Sequence, residues 1–565
     1  MSNETATSVQ YDVVIMGGGL AGLTLSLQLR QRFADLSILV IERRPHPVPL
    51  AAHKVGESSV EIAAHYFDTV LGLKPHLEQE QIKKFGFRFF FSEGREDLDG
   101  VTELGGSKVL PTSSYQIDRG IFENRLAEMA QAAGVTFVDA AVIRRFDIGE
   151  KNESHRITYE AGEQTVEVGS RWLVDASGRA GLIKRKLDLA QDNPHRAGAV
   201  WFRIGEHINM NDWSADGGWI NACQPPDRWR STSHLVGEGY WVWLIPLASG
   251  SHSVGIVADP ALHPVEKMNS FDKAMDWLQK YQPRLFAHLD TRRDKLQDFA
   301  FFKHFSYGCK QMYCGERRWA LTGEAGLFLD PFYSPGSDFI AIGNTNICEL
   351  IAHDRERGAV VMVADYFQKI YFSLYESMLP VYLNQYPLFG DPEVLPHKVT
   401  WDYAYYWGVM CQLFFQNRLT DLVMMGRLQK RLMHMQQVNI AVQAFFRAWS
   451  GYSARRNPPQ LLDQTAIDWF AELNRRLKDP LDSDAQFMQR MDDNLALLQH
   501  LVKAFIDRAC SEHPVLADSD TCRDLRALLD DAVLAVTPSI GVPELFSNKA
   551  YEQASSPRAM PVEAV

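Results

Sequence analysis

A chain of 565 residues, 46% hydrophobic and 23% charged, has the makeup of an ordinary soluble enzyme with room for a large core and two or three domains or subdomains. Its formal net charge of −12 argues against nucleic acid or an anionic membrane as the main partner. The first residues carry no basic segment ahead of an apolar one, no apolar run is long enough to span a bilayer, and the seven scattered cysteines form no CxxC pair; the expectation is a reduced, cytoplasmic setting without a disulfide framework or structural metal. In chain order, the β-branched run Tyr11 to Met16 reads as a buried parallel strand that ends on Gly17-Gly18-Gly19-Leu20-Ala21-Gly22, a complete GxGxxG. A helical repeat follows (Leu23 over Leu27, Leu25 over Leu29), then a second strand from Leu36 to Ile41 that ends on Glu42, 25 residues after Gly17. Strand, glycine turn, helix, strand and terminal acid in this order define a dinucleotide site. Gly17 permits the tight turn, Gly19 the approach of the pyrophosphate, and Gly22 the packing of helix on strand. Leu20 and Ala21 open the helix whose N–H groups and dipole meet the phosphates, and Glu42 is placed for the ribose.

Three later segments select among dinucleotides. Tyr115-Gln116-Ile117-Asp118-Arg119 precedes a helix carrying Phe122, Leu126 and Met129. Trp172 to Gly178 is a strand closing through Asp175 on a small-residue turn, where backbone must approach a ligand. Ala320-Leu321-Thr322-Gly323-Glu324-Ala325-Gly326 follows late in the chain. Together with the GxGxxG unit, their order resembles the aromatic-hydroxylase-type flavoproteins over roughly the first 350 residues. The resemblance implies FAD, with Arg119 against the flavin, Asp175 at the second close approach, and Gly323 and Glu324 at the ribityl chain. Glu324 stands where that family usually has Asp. The single GxGxxG unit does not exclude NADPH as a reductant.

Two reactions suit such a protein: hydroxylation by oxygen activated at the flavin, and halogenation in which a halide intercepts that oxygen. Trp241-Val242-Trp243-Leu244-Ile245-Pro246 matches WxWxIP, the signature of flavin-dependent halogenases. The strand period of two puts Trp241, Trp243 and Ile245 on one face, a dry wall that the resemblance places beside the flavin. Phe328 to Gly336 is an FxxPxxSxG segment similar to a halogenase loop whose backbone N–H groups hold the halide. Pro335 has no N–H, so the donors fall to Gly336 and Ser337. Tyr333 occupies the place of a glutamate that the tryptophan enzymes carry, which points away from tryptophan itself as the substrate. The family's essential lysine falls on Lys84, at the head of Lys84-Phe85-Gly86-Phe87-Arg88-Phe89-Phe90-Phe91. Strand alternation gives Phe85, Phe87, Phe89 and Phe91 to the core, and Lys84, Gly86, Arg88 and Phe90 to the face that lines a cavity. Lys54, beside Gly56-Glu57-Ser58, is the second amine to consider. Ser334 is expected to orient the lysine or the oxidant, and Asp338 and Glu57 are weak candidates for the base that deprotonates the arene.

The fold implied is α/β: a Rossmann-like FAD-binding domain with an interleaved substrate-domain β-sheet, of aromatic-hydroxylase/halogenase type, plus a C-terminal α-helical region. Residues 1–350 form the FAD core, with sheet segments at about 80–115 and 195–305. Residues 351–553 form helices that complete the substrate pocket, and 554–565 a loose tail. The aromatic and Met-rich stretch Trp401 to Phe446 reads as core or as pocket lining. Arg427, Lys430 and Arg431 share one helix face, solvated or docked on a carrier protein. The resemblance implies FADH2 from a separate flavin reductase, a halide ion, and a small phenol- or indole-type substrate, free or carrier-bound. The alternatives are an NAD(P)H-dependent aromatic hydroxylase, a flavin-dependent reductase of isoprenoid or lipid substrates, and a non-catalytic FAD-bound relative.

Overall fold

The computed structural model describes residues 9–51, 55–356, 358, 360–530, 538–541 and 545–546. Lys54 and the expected tail at 554–565 lie outside them. Val9–Met16, Ile38–Ile41, Thr136–Val138, Gln164–Asp175 and Trp319–Leu321 pair in parallel at the centre of one sheet. Their near-continuous Val, Ile and Leu runs suit strands covered on both faces. The antiparallel strands Ala141–Asp147 and His155–Ala161 extend this sheet beside Gln164–Asp175.

The second sheet runs in the order Leu296–Phe302, Gly198–Ile204, His252–Ala258, Tyr240–Pro246, Thr232–Gly237, Phe87–Phe90, Thr102–Gly105, Gln460–Asp463. Its last strand comes from the C-terminal region, expected to be helical, and pairs in parallel with Thr102–Gly105. Alternation divides its side chains between two cores. Phe87, Phe89, Trp241, Trp243 and Ile245 face the large core shared with the FAD sheet and the C-terminal helices. Phe90, Tyr240, Val242 and Leu244 face a smaller one closed by the helices Phe271–Tyr281 and Pro283–Asp290. The face of the sheet that meets the first sheet is thus set residue by residue.

The helix Gly336–Glu356 leads from the FAD sheet into the C-terminal region. There Val360–Met378, Leu395–Tyr405, Leu422–Ser450 and Asp484–Glu512 pack over the gap between the sheets. A wide π-helical turn, Tyr406–Cys411, continues Leu395–Tyr405. Such turns displace side chains from regular helical positions, and here the turn delivers Tyr406 to the interior. Among the described residues no helix is long and apolar enough to cross a membrane.

Candidate active site

The glycine turn after Val9–Met16 forms a cradle whose requirements are steric. Gly17 has φ +117°, and a Cβ on it would lie 2.4 Å from the carbonyl oxygen of Ala176. A Cβ on Gly22 would lie 2.0 Å from the Gly17 carbonyl oxygen, whereas one on Gly19 would meet nothing within 4 Å. The space over Gly19 therefore suits a ligand. Leu23 N–H makes the first helical hydrogen bond, to Gly19 O, so the helix supplies no partner for the N–H groups of Leu20 and Ala21. Glu42 accepts from Gly18 N–H at 2.7 Å and from Arg44 N–H at 2.8 Å, at the strand end where a ribose would lie.

Asp175 departs from its expected role. It is fully buried, and its carboxylate accepts from Ser177 N–H (3.0 Å), Ser177 Oγ (2.6 Å) and Ile183 N–H (2.7 Å). It shapes the turn that meets Gly17 and has no free edge for a cofactor. Arg119 begins the helix Arg119–Ala132, pairs with Glu123, and donates to Val55 O at 2.7 Å. It lines a cleft of about 920 Å³ with Gly323 and Glu324. Burial pulls Arg119 down to about 10, with Glu324 and Glu57 opposing. Gly323, at φ +59°, turns the chain beneath that cleft. Extended space between a glycine cradle and a half-buried guanidinium fits FAD: the cradle would hold the ADP half, and Arg119, Gly323 and Glu324 would flank the flavin.

The far wall of the cleft carries Trp241 and Trp243, their rings 5.7 Å apart, and its floor carries Ser334, Gly336 and Ser337. Trp243 Nε1 donates to Ser253 Oγ at 3.1 Å and Trp241 Nε1 to Tyr386 Oη at 3.2 Å, so both indoles are held by hydrogen bonds as well as packing. Tyr333 and Ser334 have φ +66° and +54°, a tight left-handed turn that feeds the helix Gly336–Glu356. The first bond of that helix is Phe339 N–H to Pro335 O. The N–H groups of Gly336 and Ser337 therefore point from a helix start, the geometry that favours anions.

Lys84 lies off the strand on which alternation had placed it. Strands cover Ile82–Lys83 and Phe87–Phe90 only, and Gly86 between them has φ +84°. The turn breaks the period of two. Lys84 Nζ sits 3.4 Å over the Phe87 ring, while Arg88 is buried elsewhere on Glu103 and Gly106 O. The lysine is 2% exposed, and its Nζ donates to Ser58 Oγ at 3.0 Å and Ser59 O at 3.1 Å. Ser58, rather than the expected Ser334, is the hydroxyl that orients it. Ser58 also lines the 920 Å³ cleft, so the amine stands one side chain away from the flavin side. Burial pushes Lys84 down to about 7, with Glu61 and Asp338 opposing.

Of the two carboxylates proposed as base, Glu57 accepts from Arg203 at 2.8 and 2.6 Å and is consumed by that buried pair. Asp338 is 2% exposed, accepts from Tyr406 Oη at 2.6 Å and Ala63 N–H at 2.9 Å, and is driven by burial up to about 8. Glu61 was not singled out in the sequence. It opens the short helix Glu61–His65, is 5% exposed, and lines both cavities beyond Lys84. One of these, about 460 Å³, has walls of Phe87, Tyr333, Tyr403, Tyr405 and Tyr406. The Trp401 stripe is thus core on one side and cavity wall on the other. Tyr333 donates to Asp402 at 2.9 Å, and Asp402 is paired with Lys398 at 2.6 Å. The only available signal for Glu61 was its place three residues after Gly56-Glu57-Ser58, which carries no period or motif of its own.

A profile described as an FAD binding domain matches residues 10–250. The flavin-dependent halogenase chlA of Dictyostelium discoideum is 26% identical over 454 residues, 69% of this chain and 74% of that protein. A 1H-pyrrole-2-carbonyl-(peptidyl-carrier protein) chlorinase of Pseudomonas fluorescens is 25% identical over 389 residues, 65% of this chain and 80% of that protein. The crystal structure of halogenase PltM shares the fold with a TM-score of 0.59 at 15% identity, over 91% of this chain and 98% of that one. PltM in complex with phloroglucinol and FAD gives the same TM-score of 0.59, again at 15% identity, over 87% of this chain and 96% of that one. The class defined by cradle, cleft and matched domain is an α/β flavoprotein that binds FAD. Within that class, the chain is similar in sequence to flavin-dependent halogenases and shares the fold of halogenase PltM.

Proposed function

We propose that this enzyme is the halogenase of a two-component system, forming hypohalous acid in the cleft and passing it to Lys84 for transfer to an electron-rich arene. Reduced FAD, delivered by a separate reductase, would supply the two electrons that turn O2, a halide ion and a proton into hypohalous acid and water. The chain's own residues do the rest. The N–H groups of Gly336 and Ser337 hold the halide, with the helix dipole behind them. Trp241 and Trp243 keep arene and bulk water from the site where the oxidant forms. Lys84 receives the hypohalous acid as a hydrogen-bond partner or as a haloamine, and the haloamine route needs the neutral amine that burial favours. Ser58 fixes the direction of the amine. A cytoplasmic setting suits the scattered, unpaired cysteines, and the division into an FAD core (1–350) and a helical pocket region (351–553) belongs to the same reading.

One observation carries this function: a lysine amine, 2% exposed, hydrogen-bonded to a serine that lines the cleft of the two tryptophans. An exposed lysine on a sheet edge would serve solubility; a desolvated one that reaches a cleft through a serine, unlike Lys398 on Asp402, is placed for chemistry. The pyrrolyl carrier substrate of one relative and the phloroglucinol bound to PltM mark the two substrate types to test here. The experiment supplies the FAD-loaded protein with a flavin reductase, NADH, bromide and a panel of phenols, indoles and pyrroles. Products with the two-line isotope pattern of bromine, dependent on the reductase, are expected. Hydroxylated products with NAD(P)H consumed without the reductase would instead identify an aromatic hydroxylase.

A further inference from the structure

Glu61 is a buried carboxylate beside Lys84 to which the site described so far gives no role. Its Oε2 is sealed from solvent and has no hydrogen-bond partner among the described residues. A buried carboxylate in this condition is costly, because desolvation is not offset by a donor. Nearby carboxylates are treated differently: Glu57 is held by Arg203, Asp338 by Tyr406 and Ala63, and Asp402 by Lys398. Of these carboxylates, only Glu61 borders both the Lys84 cavity and the aromatic chamber of about 460 Å³. Phe87, Tyr403, Tyr405 and Tyr406 give that chamber flat apolar walls suited to a single ring.

We propose that Glu61 is the base that accepts the hydroxyl proton of the substrate, and that the substrate is a free, small hydroxyarene enclosed in the aromatic chamber. The inference rests on the halogenase reading above. A hydroxyl group supplies a donor to Glu61 Oε2 beyond the Trp407 indole that already faces the carboxylate, whereas an unsubstituted arene supplies none. The remaining titratable groups that face Glu61 are Lys84, Asp338, Tyr403, Tyr406 and Cys411. Of these, only Lys84 is a base placed for the halogen, and Asp338 is occupied by its two donors. Burial raises the Glu61 carboxyl above the ordinary range, opposed by the Trp407 indole and Lys84, which brings it toward the basicity a phenol requires.

Atoms balance as follows. The phenolic proton passes to Glu61, and the activated ring carbon takes the halogen from the hypohalous acid at Lys84 as its oxygen–halogen bond breaks. The hydroxide released takes the proton from Glu61 and leaves as water. The ring proton at the new carbon–halogen bond moves to the dienone oxygen, restoring the aromatic phenol. A free substrate is favoured over a carrier-bound one on two grounds. The chamber walls Met378, Val381, Tyr403, Tyr405 and Tyr406 are all buried and largely apolar, which suits a small ring better than a polar tethering arm. The basic helix face that a carrier would use is already engaged, with Arg427 on Asp484 at 3.2 Å and Arg431 on Asp492 at 2.7 Å.

The test compares wild type, Glu61→Gln and Glu61→Asp, each loaded with FAD and driven by a flavin reductase with bromide and phloroglucinol. Bromophloroglucinol is measured beside hypobromous acid caught by monochlorodimedone, and phloroglucinol binding is measured by calorimetry without the reductase. Glu61→Gln is expected to lose product about 100-fold, to release trapped oxidant at the wild-type rate, and to bind phloroglucinol several-fold more weakly; Glu61→Asp recovers part of each. FAD content and melting temperature report folding, and if Glu61→Gln fails to fold, Glu61→Asp and the calorimetry carry the test. Product formation by Glu61→Gln within threefold of wild type, with FAD bound, overturns the role of Glu61. Turnover of a carrier-bound acyl arene alone, with no binding of phloroglucinol, overturns the free substrate. Wild type that yields neither trapped oxidant nor any brominated arene overturns the halogenase mechanism itself, a distinct failure.

Discussion

The dinucleotide cradle is assembled from neighbours in the chain: Gly17 to Gly22 on one strand–helix turn, closed by the Asp175 loop of the adjacent parallel strand. The lysine chamber is assembled from strangers. Ser58 precedes a short helix that Glu61 opens, Lys84 sits in a break between strands, Asp338 comes from the helix Gly336–Glu356, and Tyr403 and Tyr406 come from the C-terminal region. The first region recognises its ligand mainly with backbone, and its specificity is a matter of what a Cβ would strike. The second works with side chains whose protonation is set by exclusion of water. The two regions are therefore separable, and each has its own characteristic way of failing.

The sharpest way to break the cradle is Gly22→Val. Its Cβ would lie 2.0 Å from the Gly17 carbonyl oxygen, so a cost of about 4 kcal/mol or more is expected. Flavin fluorescence of the purified variant and its melting curve should show loss of FAD together with loss of fold stability. Lys84→Met tests the chamber instead. The side chain keeps its volume over Phe87, FAD content should stay within twofold of wild type, and bromination of phloroglucinol should fall about 1,000-fold. If both variants lost FAD equally, the separation of the two regions would be wrong.

The pH profile probes the chamber more gently. A lysine whose folded value is about 7 is neutral in a fraction that rises as pH increases through 7. If transfer proceeds through the haloamine, single-turnover bromination should rise about tenfold from pH 6 to pH 8 and then level off. A profile flat over that window would mean that the amine acts only as a hydrogen-bond donor. The smallest effect is expected from Tyr386→Phe. Tyr386 Oη donates to Asp330 at 2.7 Å and accepts from Trp241 Nε1, and His195 holds the same Asp330 oxygen at 2.6 Å. Removing the hydroxyl should cost about 1 kcal/mol of stability, read from the urea midpoint, with FAD affinity unchanged.

The legible part of this protein was the part whose function needs particular backbone conformations or a strict period. The GxGxxG unit, the parallel strand Val9–Met16, and the common face of Trp241, Trp243 and Ile245 follow from residues next to one another in sequence. The strand placement expected for Lys84 does not hold, because one left-handed glycine, Gly86, interrupts the alternation on which it depended. Asp175 was read as a ligand contact because it closes the turn, and only its three internal hydrogen bonds revealed a positioning role. Nor does the sequence mark the edge strand Gln460–Asp463, whose partner lies some 350 residues earlier.

What the sequence determined by itself is therefore the glycine cradle, the tryptophan face and the helix start at Gly336, since glycine, alternation and capping act over a few residues. Tertiary structure alone decided which hydroxyl orients Lys84, which carboxylates are satisfied and that Glu61 is not. Desolvation is a property of everything packed around a group. No local pattern records it.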